Sequence, residues 1–195
     1  MAAVTNITPN HLDRHASMAE YFEAKAAIVT FQRPGDWAVL NAEDAYADVL
    51  AARTPAEVLR FSLSEAQPQG AYLKGERLML RHGGREKELC TVDEVQLRGR
   101  HNLANVLAAA CCAAAADADV EAMRVAATTF RGVPHRLEVV RVWRDATYIN
   151  DSIATSPERA VAALRSFEQP VILLARGRDK HLPWEEWAEV VLDRA

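Results

Sequence analysis

Apolar positions along this chain come either in short continuous runs or in stripes that recur every three or four residues, and the mixture predicts an α/β fold. Met1 to Ile7 reads as a buried strand, and Thr8 to His15, TPNHLDRH, as a polar loop at its carboxyl end. SMAEYFEAKAAIVTF reads as a helix capped by Ser17, with Met18, Phe22, Lys25 and Val29 along one stripe. WAVLN and EVLRFSL are strand-like, on either side of a helix in EDAYADVLAAR. In LKGERLMLRHGGREKELCTV, Gly83 and Gly84 separate two strand-like runs and suit a tight primed hairpin turn. GRHNLANVLAAACCAAAADA is a helix by propensity, and VEAMRVAATTF a second one.

Gly132 and Pro134 interrupt this helical region, and LEVVRVW and TYI follow as β-prone runs broken at Arg144 and Asp145, as in a hairpin. Ser156 and Pro157 suit a helix start, Ala160, Val161, Leu164 and Phe167 give that helix an apolar face, and PVILLA reads as a second buried strand. The expectation is a β-α-β unit whose crevice is flanked by NDSIATSP and ARGRDK, with Asp151 and Lys180 facing it. The tail, PWEEWAEVVLDRA, reads as an amphipathic helix.

Composition narrows the partners. A length of 195 residues holds one or two small domains, and a formal charge of -4 argues against a general nucleic-acid or anionic-membrane surface. No apolar run is long enough to span a bilayer, and the N-terminus lacks a secretion-signal pattern, so the expected location is cytoplasmic. Three cysteines without framework spacing suit reduced, buried thiols.

Several polar residues carry a chemical reading beside a plainer one. Asn102 and Asn105, three apart near a helix start, could read a base edge with their amides, or could be a cap and surface filler. Arg136, directly after the interruption, could bridge phosphates or form a surface ion pair. Lys25, an amine on an apolar stripe, either snorkels or is desolvated enough to react with CO₂. His11 fits a solvated turn, Asp151 a turn, and Lys180 a solvated loop.

Five stretches in order, ITPNHLDRH, GRHNLANVLAAA, GVPHRLE, YINDSIATSPERAVAAL and LLARGRDK, together resemble the Mur ligases through nearly the whole chain. The Pro-His-Arg of GVPHRLE resembles the D-glutamate-adding branch. The resemblance implies part of a central ATP-binding domain over residues 1–130, with a mostly parallel sheet, helices and a small antiparallel ribbon. A hinge would follow at 131–135, then the start of a Rossmann-like, D-glutamate-binding domain at 136–195. It also implies ATP-dependent amide formation through an acyl phosphate in peptidoglycan synthesis, in a monomer whose substrates are UDP-N-acetylmuramoyl-L-alanine and D-glutamate. By that resemblance Asn102 and Asn105 hold adenine, Arg136 and Asp151 the rest of the nucleotide, and Thr155 and Lys180 D-glutamate. His11 and a carbamylated Lys25 would serve Mg²⁺.

The chain departs from the family pattern in two places. Ile153 stands where the family has the lysine of Asp-Ser-Lys-Ala-Thr, and Arg176 replaces one glycine before Arg178. Arg176 either restricts a tight turn or supplies the cation missing at Ile153. No GxxxxGK[ST] phosphate loop occurs, so the expectation is a fragment, inactive alone, lacking the N-terminal domain, that loop and the end of the C-terminal domain. A different Mur or folylpolyglutamate-type ligase, or a noncatalytic nucleotide-binding module, stays open as an alternative.

Overall fold

Strand β2 (Trp37–Asn41) is the centre of the fold, because its alternate side chains belong to two different cores. Ala38 and Leu40 pack with Tyr21, Phe22, Ala26 and Val29 of α1 (Met18–Thr30) and Leu50 of α2 (Ala47–Arg53). Val39 packs on the opposite face with Leu103, Leu107 and Cys111 of α3 (Arg100–Ala115) and Met123 of α4 (Val120–Thr129). A strand covered on both faces has no solvent side, which is why WAVLN is almost continuously apolar. Each fully buried Leu, Val or Phe in these clusters contributes about 1.5–3 kcal/mol.

In this computed structural model, which describes residues 1–9, 14–177 and 182–195, a six-stranded sheet has the order β1-β2-β3-β4-β5-β6. β1 (Ala2–Val4), β2, β3 (Glu57–Ser62) and β4 (Gly70–Lys74) pair in parallel, whereas β4, β5 (Arg77–His82) and β6 (Arg85–Thr91) are antiparallel. The antiparallel ribbon is thus continuous with the parallel sheet. Its β5–β6 turn has Gly83 at φ 57° and Gly84 at φ 73°, the positive pair that a primed turn requires. Gly70, at φ 130°, lies against the Arg60 backbone, where any Cβ would collide with the carbonyl oxygen.

Ser17 caps α1 as its sequence predicts, its hydroxyl accepting from the Glu20 N–H at 3.2 Å. The helix predicted from Glu43 begins only at Ala47, because the Asp44 carboxylate instead accepts from the Ile7 and Tyr46 N–H groups, at 2.7 and 2.8 Å. The N-terminal strand, expected as part of the core, is the short edge of the sheet.

Beyond residue 137 the chain forms a hairpin, β7 (Glu138–Trp143) and β8 (Ala146–Asn150), then α5 (Pro157–Leu164) and α6 (Glu185–Arg194). Arg144 and Asp145 turn the hairpin with φ 48° and 63°. Pro157 occupies the first turn of α5 and Ser156 the N-cap position, but the Ser156 side chain makes no capping hydrogen bond. Val161, Leu164 and Val190 make a third cluster with Val171 and Leu173.

PVILLA does not form the expected strand, so the β-α-β unit expected from it does not form. Val171 and Leu173 pack against α5 and α6, while Ile172 and Leu174 are 94% and 93% exposed. That alternation is extended geometry, yet a strand also needs a ladder partner, and β7 and β8 pair only with each other among the described residues. No helix among the described residues is long and apolar enough to cross a membrane.

Candidate functional site

The start of α3 and the segment from Gly132 to Leu137 approach each other: a Cβ on Gly132 would stand 3.3 Å from Leu97, just ahead of α3, and the charges of Arg136 and Asp151 act on His101. Gly99 is the N-cap of α3, with φ 89°. Asn102 is buried; its amide donates to the Arg98 carbonyl at 2.6 Å and its Oδ1 accepts from the Asn105 amide at 3.2 Å. Both asparagines share one face as their spacing predicts, with a division of labour: Asn102 ties down the turn and holds Asn105, which is exposed.

Opposite them, the chain after Pro134 is fastened to the loop between β8 and α5. The Leu137 N–H donates to Asp151 Oδ1 at 3.0 Å, the Ile153 N–H to the His135 carbonyl at 3.2 Å, and the Asn150 amide reaches His135 Nδ1 at 2.9 Å. His135 and Leu137 have φ 67° and 46°, the left-handed region that non-glycine residues rarely adopt. These bonds hold that conformation and fix the half-buried Asp151 next to the exposed Arg136.

His101 sits between the two sides. Burial, then the Arg136 guanidinium, pushes its pKa below the ordinary histidine value, and the Asp151 carboxylate pulls the other way. Arg98 lies over the Phe167 ring at 6.0 Å, and across the molecule Thr8 donates to Glu158 at 2.8 Å.

Lys25 is exposed, not on the buried stripe of α1, which consists of Tyr21, Phe22, Ala26 and Val29. Its Nζ stands 5.4 Å from the Tyr21 ring centroid, which matches the snorkelling alternative rather than the desolvated one; at i+4 from Tyr21 the amine slides along the ring toward water. Arg14, His15, Tyr21, Ala24 and Lys25 line a cavity of about 310 Å³. His11 and Lys180 lie outside the described residues. Among the described residues no three histidine, cysteine or carboxylate side chains gather as metal ligands. A bare ammonium cannot ligate Mg²⁺, so this donor set suits that ion only with Lys25 carbamylated.

Thr155 is exposed just ahead of α5, on the same loop as Asp151. Ile153 is 43% exposed, and the Arg159 guanidinium donates to its carbonyl at 3.4 Å, placing a cation beside the position where the sequence lacks a lysine. The sequence reading missed Arg159 because the helix turn that brings it back is a tertiary detail. It also missed His101, although that residue lies inside GRHN, between Arg100 and Asn102.

The side-chain chemistry of Asn105, Arg136 and Asp151 is of the kind that suits a nucleotide: an amide for a base edge, a guanidinium to donate to phosphates and a carboxylate to accept from ribose hydroxyls. Residues 1–113 match the Mur ligase middle domain family. The chain is 46% identical over 193 residues to the UDP-N-acetylmuramoylalanine--D-glutamate ligase of Clostridium novyi, covering 99% of this chain and 41% of that protein. It is 45% identical to the enzyme of the same name from Symbiobacterium thermophilum, covering 100% and 43%. The chain therefore spans less than half the length of these relatives. Among solved structures, MurF from Acinetobacter baumannii superposes with TM-score 0.69 at 16% identity, covering 85% of this chain and 37% of that one. MurF ligase from Thermotoga maritima in complex with ADP superposes with TM-score 0.60 at 17% identity, covering 85% and 39%. At these identities the structural likeness speaks for the fold alone.

Proposed function

The chain belongs to the Mur ligase middle domain family, and from that membership we propose that it is the nucleotide-binding and junction portion of an ATP-dependent ligase that joins D-glutamate to UDP-N-acetylmuramoyl-L-alanine. What supports this reading is the Asn102–Asn105 pair at the start of α3 together with Arg136 and Asp151, whose charges act on His101 of the same helix turn, an amide, a guanidinium and a carboxylate on two parts of the chain. Residues 1–130 are then part of the central domain, 131–135 a hinge and 136–195 the first part of the D-glutamate-binding domain. The setting is cytoplasmic and the protein a monomer.

In this reading Asn105, braced by Asn102, reads the adenine edge, Asp151 accepts from the ribose hydroxyls, and Arg136 lies along the phosphates. The lactoyl-L-alanine carboxylate attacks the γ-phosphorus, forming an acyl phosphate and ADP. The D-glutamate amine then adds to the acyl carbon, and the tetrahedral intermediate collapses with loss of inorganic phosphate. Because such transfers depend mainly on positioning, the contribution of this chain is to set the reactants in line. Thr155 and Lys180 orient the D-glutamate carboxylate, and Arg159 offers a cation beside Ile153. His11 and carbamylated Lys25 would hold a Mg²⁺ ion, whose charge would neutralise crowded phosphate oxygens.

The test is phosphate release by the protein extended to the length of its relatives, with UDP-N-acetylmuramoyl-L-alanine, ATP and one amino acid at a time. D-glutamate alone is expected to support turnover. Turnover with L-alanine, diaminopimelate or L-glutamate would reassign the chain within the superfamily, and nucleotide binding with no turnover on any acceptor would favour a binding module.

A further inference from the structure

We propose that His101 is a positioning residue for the nucleotide, a prop wedged at the start of α3 that faces Arg136 and Asp151 where the two parts of the chain meet. This rests on the reading of Asn105, Arg136 and Asp151 as nucleotide contacts.

The argument begins with Gly99. A Cβ there would stand 2.8 Å from His101 Cε1, 3.0 Å from its Nδ1 and 3.0 Å from Ser166 Cβ, so the imidazole and the end of α5 close on a backbone that has room for no side chain. The ring is therefore wedged, and it belongs to the junction as much as to α3. Its neighbour Asn102 is pinned to Arg98 and in turn holds Asn105, so a displacement of this turn reaches the base-reading amide directly. On the other side, Asp151 is fixed by the Leu137 N–H. His101 thus stands in the turn that carries the base-reading pair, wedged against Gly99 beside Ser166, within reach of the charges of Arg136 and Asp151.

Charge decides which form of the ring does this. The charged groups that act on it are Arg136 after the junction and Asp151 on the β8–α5 loop; α5 presents Ser166. Of the nearby arginines, Arg98 lies over Phe167 and Arg165 pairs with Glu186 at 2.7 Å. A neutral ring accommodates the guanidinium. An imidazolium would repel Arg136 and draw the Asp151 carboxylate toward itself, away from a ribose, so acidification should weaken nucleotide binding through this one residue.

Two measurements test it. Histidine ring NMR on the 195-residue chain follows the His101 titration, whose midpoint should rise in Arg136→Gln and fall in Asp151→Asn. Calorimetric ADP titration between pH 5 and 8, on this chain and on the extended protein, compares wild type, His101→Gln and His101→Ala. The titration of ADP itself is common to all three and cancels. Wild type should lose about tenfold in affinity relative to His101→Gln as the pH falls, His101→Gln should keep the neutral-pH affinity, and His101→Ala should bind about tenfold more weakly throughout. Equal ADP affinity and parallel pH profiles for wild type and His101→Ala, or a ring midpoint indifferent to Arg136→Gln, would overturn the role of His101 and leave the nucleotide contacts standing. Absence of ADP binding by folded wild type in both lengths would remove those contacts, and this proposal with them.

Discussion

The Asp151 carboxylate accepts the backbone N–H of Leu137 at 3.0 Å, and Leu137 is held at φ 46°. One side chain thereby fastens the junction and faces the proposed nucleotide. Asp151→Ala should cost about 1 kcal/mol in stability through the lost hydrogen bond. Asp151→Asn keeps an acceptor for Leu137 and should melt close to wild type, yet both should bind ADP more weakly. Melting curves set beside ADP calorimetry separate the two effects; an Asn variant as unstable as the Ala variant would mean the acceptor is not what matters.

The two asparagines of α3 should behave differently despite equal standing in the sequence. Asn102 is 6% exposed and bonds to Arg98 and Asn105, so Asn102→Ala should destabilise the chain by about 1–3 kcal/mol as well as weaken ADP binding. Asn105 is exposed, and Asn105→Ala should stay within about 0.5 kcal/mol of wild-type stability while losing affinity for adenine nucleotides. Urea unfolding distinguishes them.

Gly70→Ala tests the join between the parallel and antiparallel parts of the sheet. The added methyl would collide with the Arg60 carbonyl, backbone that cannot step aside, at φ 130°. The variant should lose more than about 4 kcal/mol or fail to accumulate folded, whereas Gly83→Ala, with open space around it, bears only the cost of a positive φ. Circular dichroism melts of the pair provide the comparison.

Acid stability should report on Glu86. The Tyr72 hydroxyl at 2.6 Å and then the Arg81 guanidinium hold its carboxyl at a pKa of about 2, below the ordinary value of 4.5. The folded state therefore binds its proton later than the unfolded state does. The stabilisation is present above about 4.5 and is lost as pH falls toward 2. Urea midpoints of wild type should decline over that window, and those of Glu86→Gln should decline less; equal slopes would rule the carboxylate out.

The chain carries no GxxxxGK[ST] loop to cradle a transferred phosphoryl group. Purified by itself, it should release no phosphate that depends on D-glutamate, in an assay where the extended protein does.

Local pattern alone determined most of the elements. The unbroken WAVLN run, the Gly83-Gly84 turn and the Ser17 cap are each legible because periodicity, positive-φ tolerance and capping are properties of neighbours in sequence. The pairing of Asn102 with Asn105 was legible as well, because three residues of helix set their distance. Tertiary structure decided what depends on partners far along the chain. PVILLA has the composition of a strand but no ladder, since strand pairing is non-local; Lys25 has the spacing of a buried stripe but lies on its exposed edge, since only the packing of α1 on β2 says where the stripe ends. The influence of Arg136 and Asp151 on His101 likewise joins residues 35 or more positions apart, and no local rule of spacing encodes that approach.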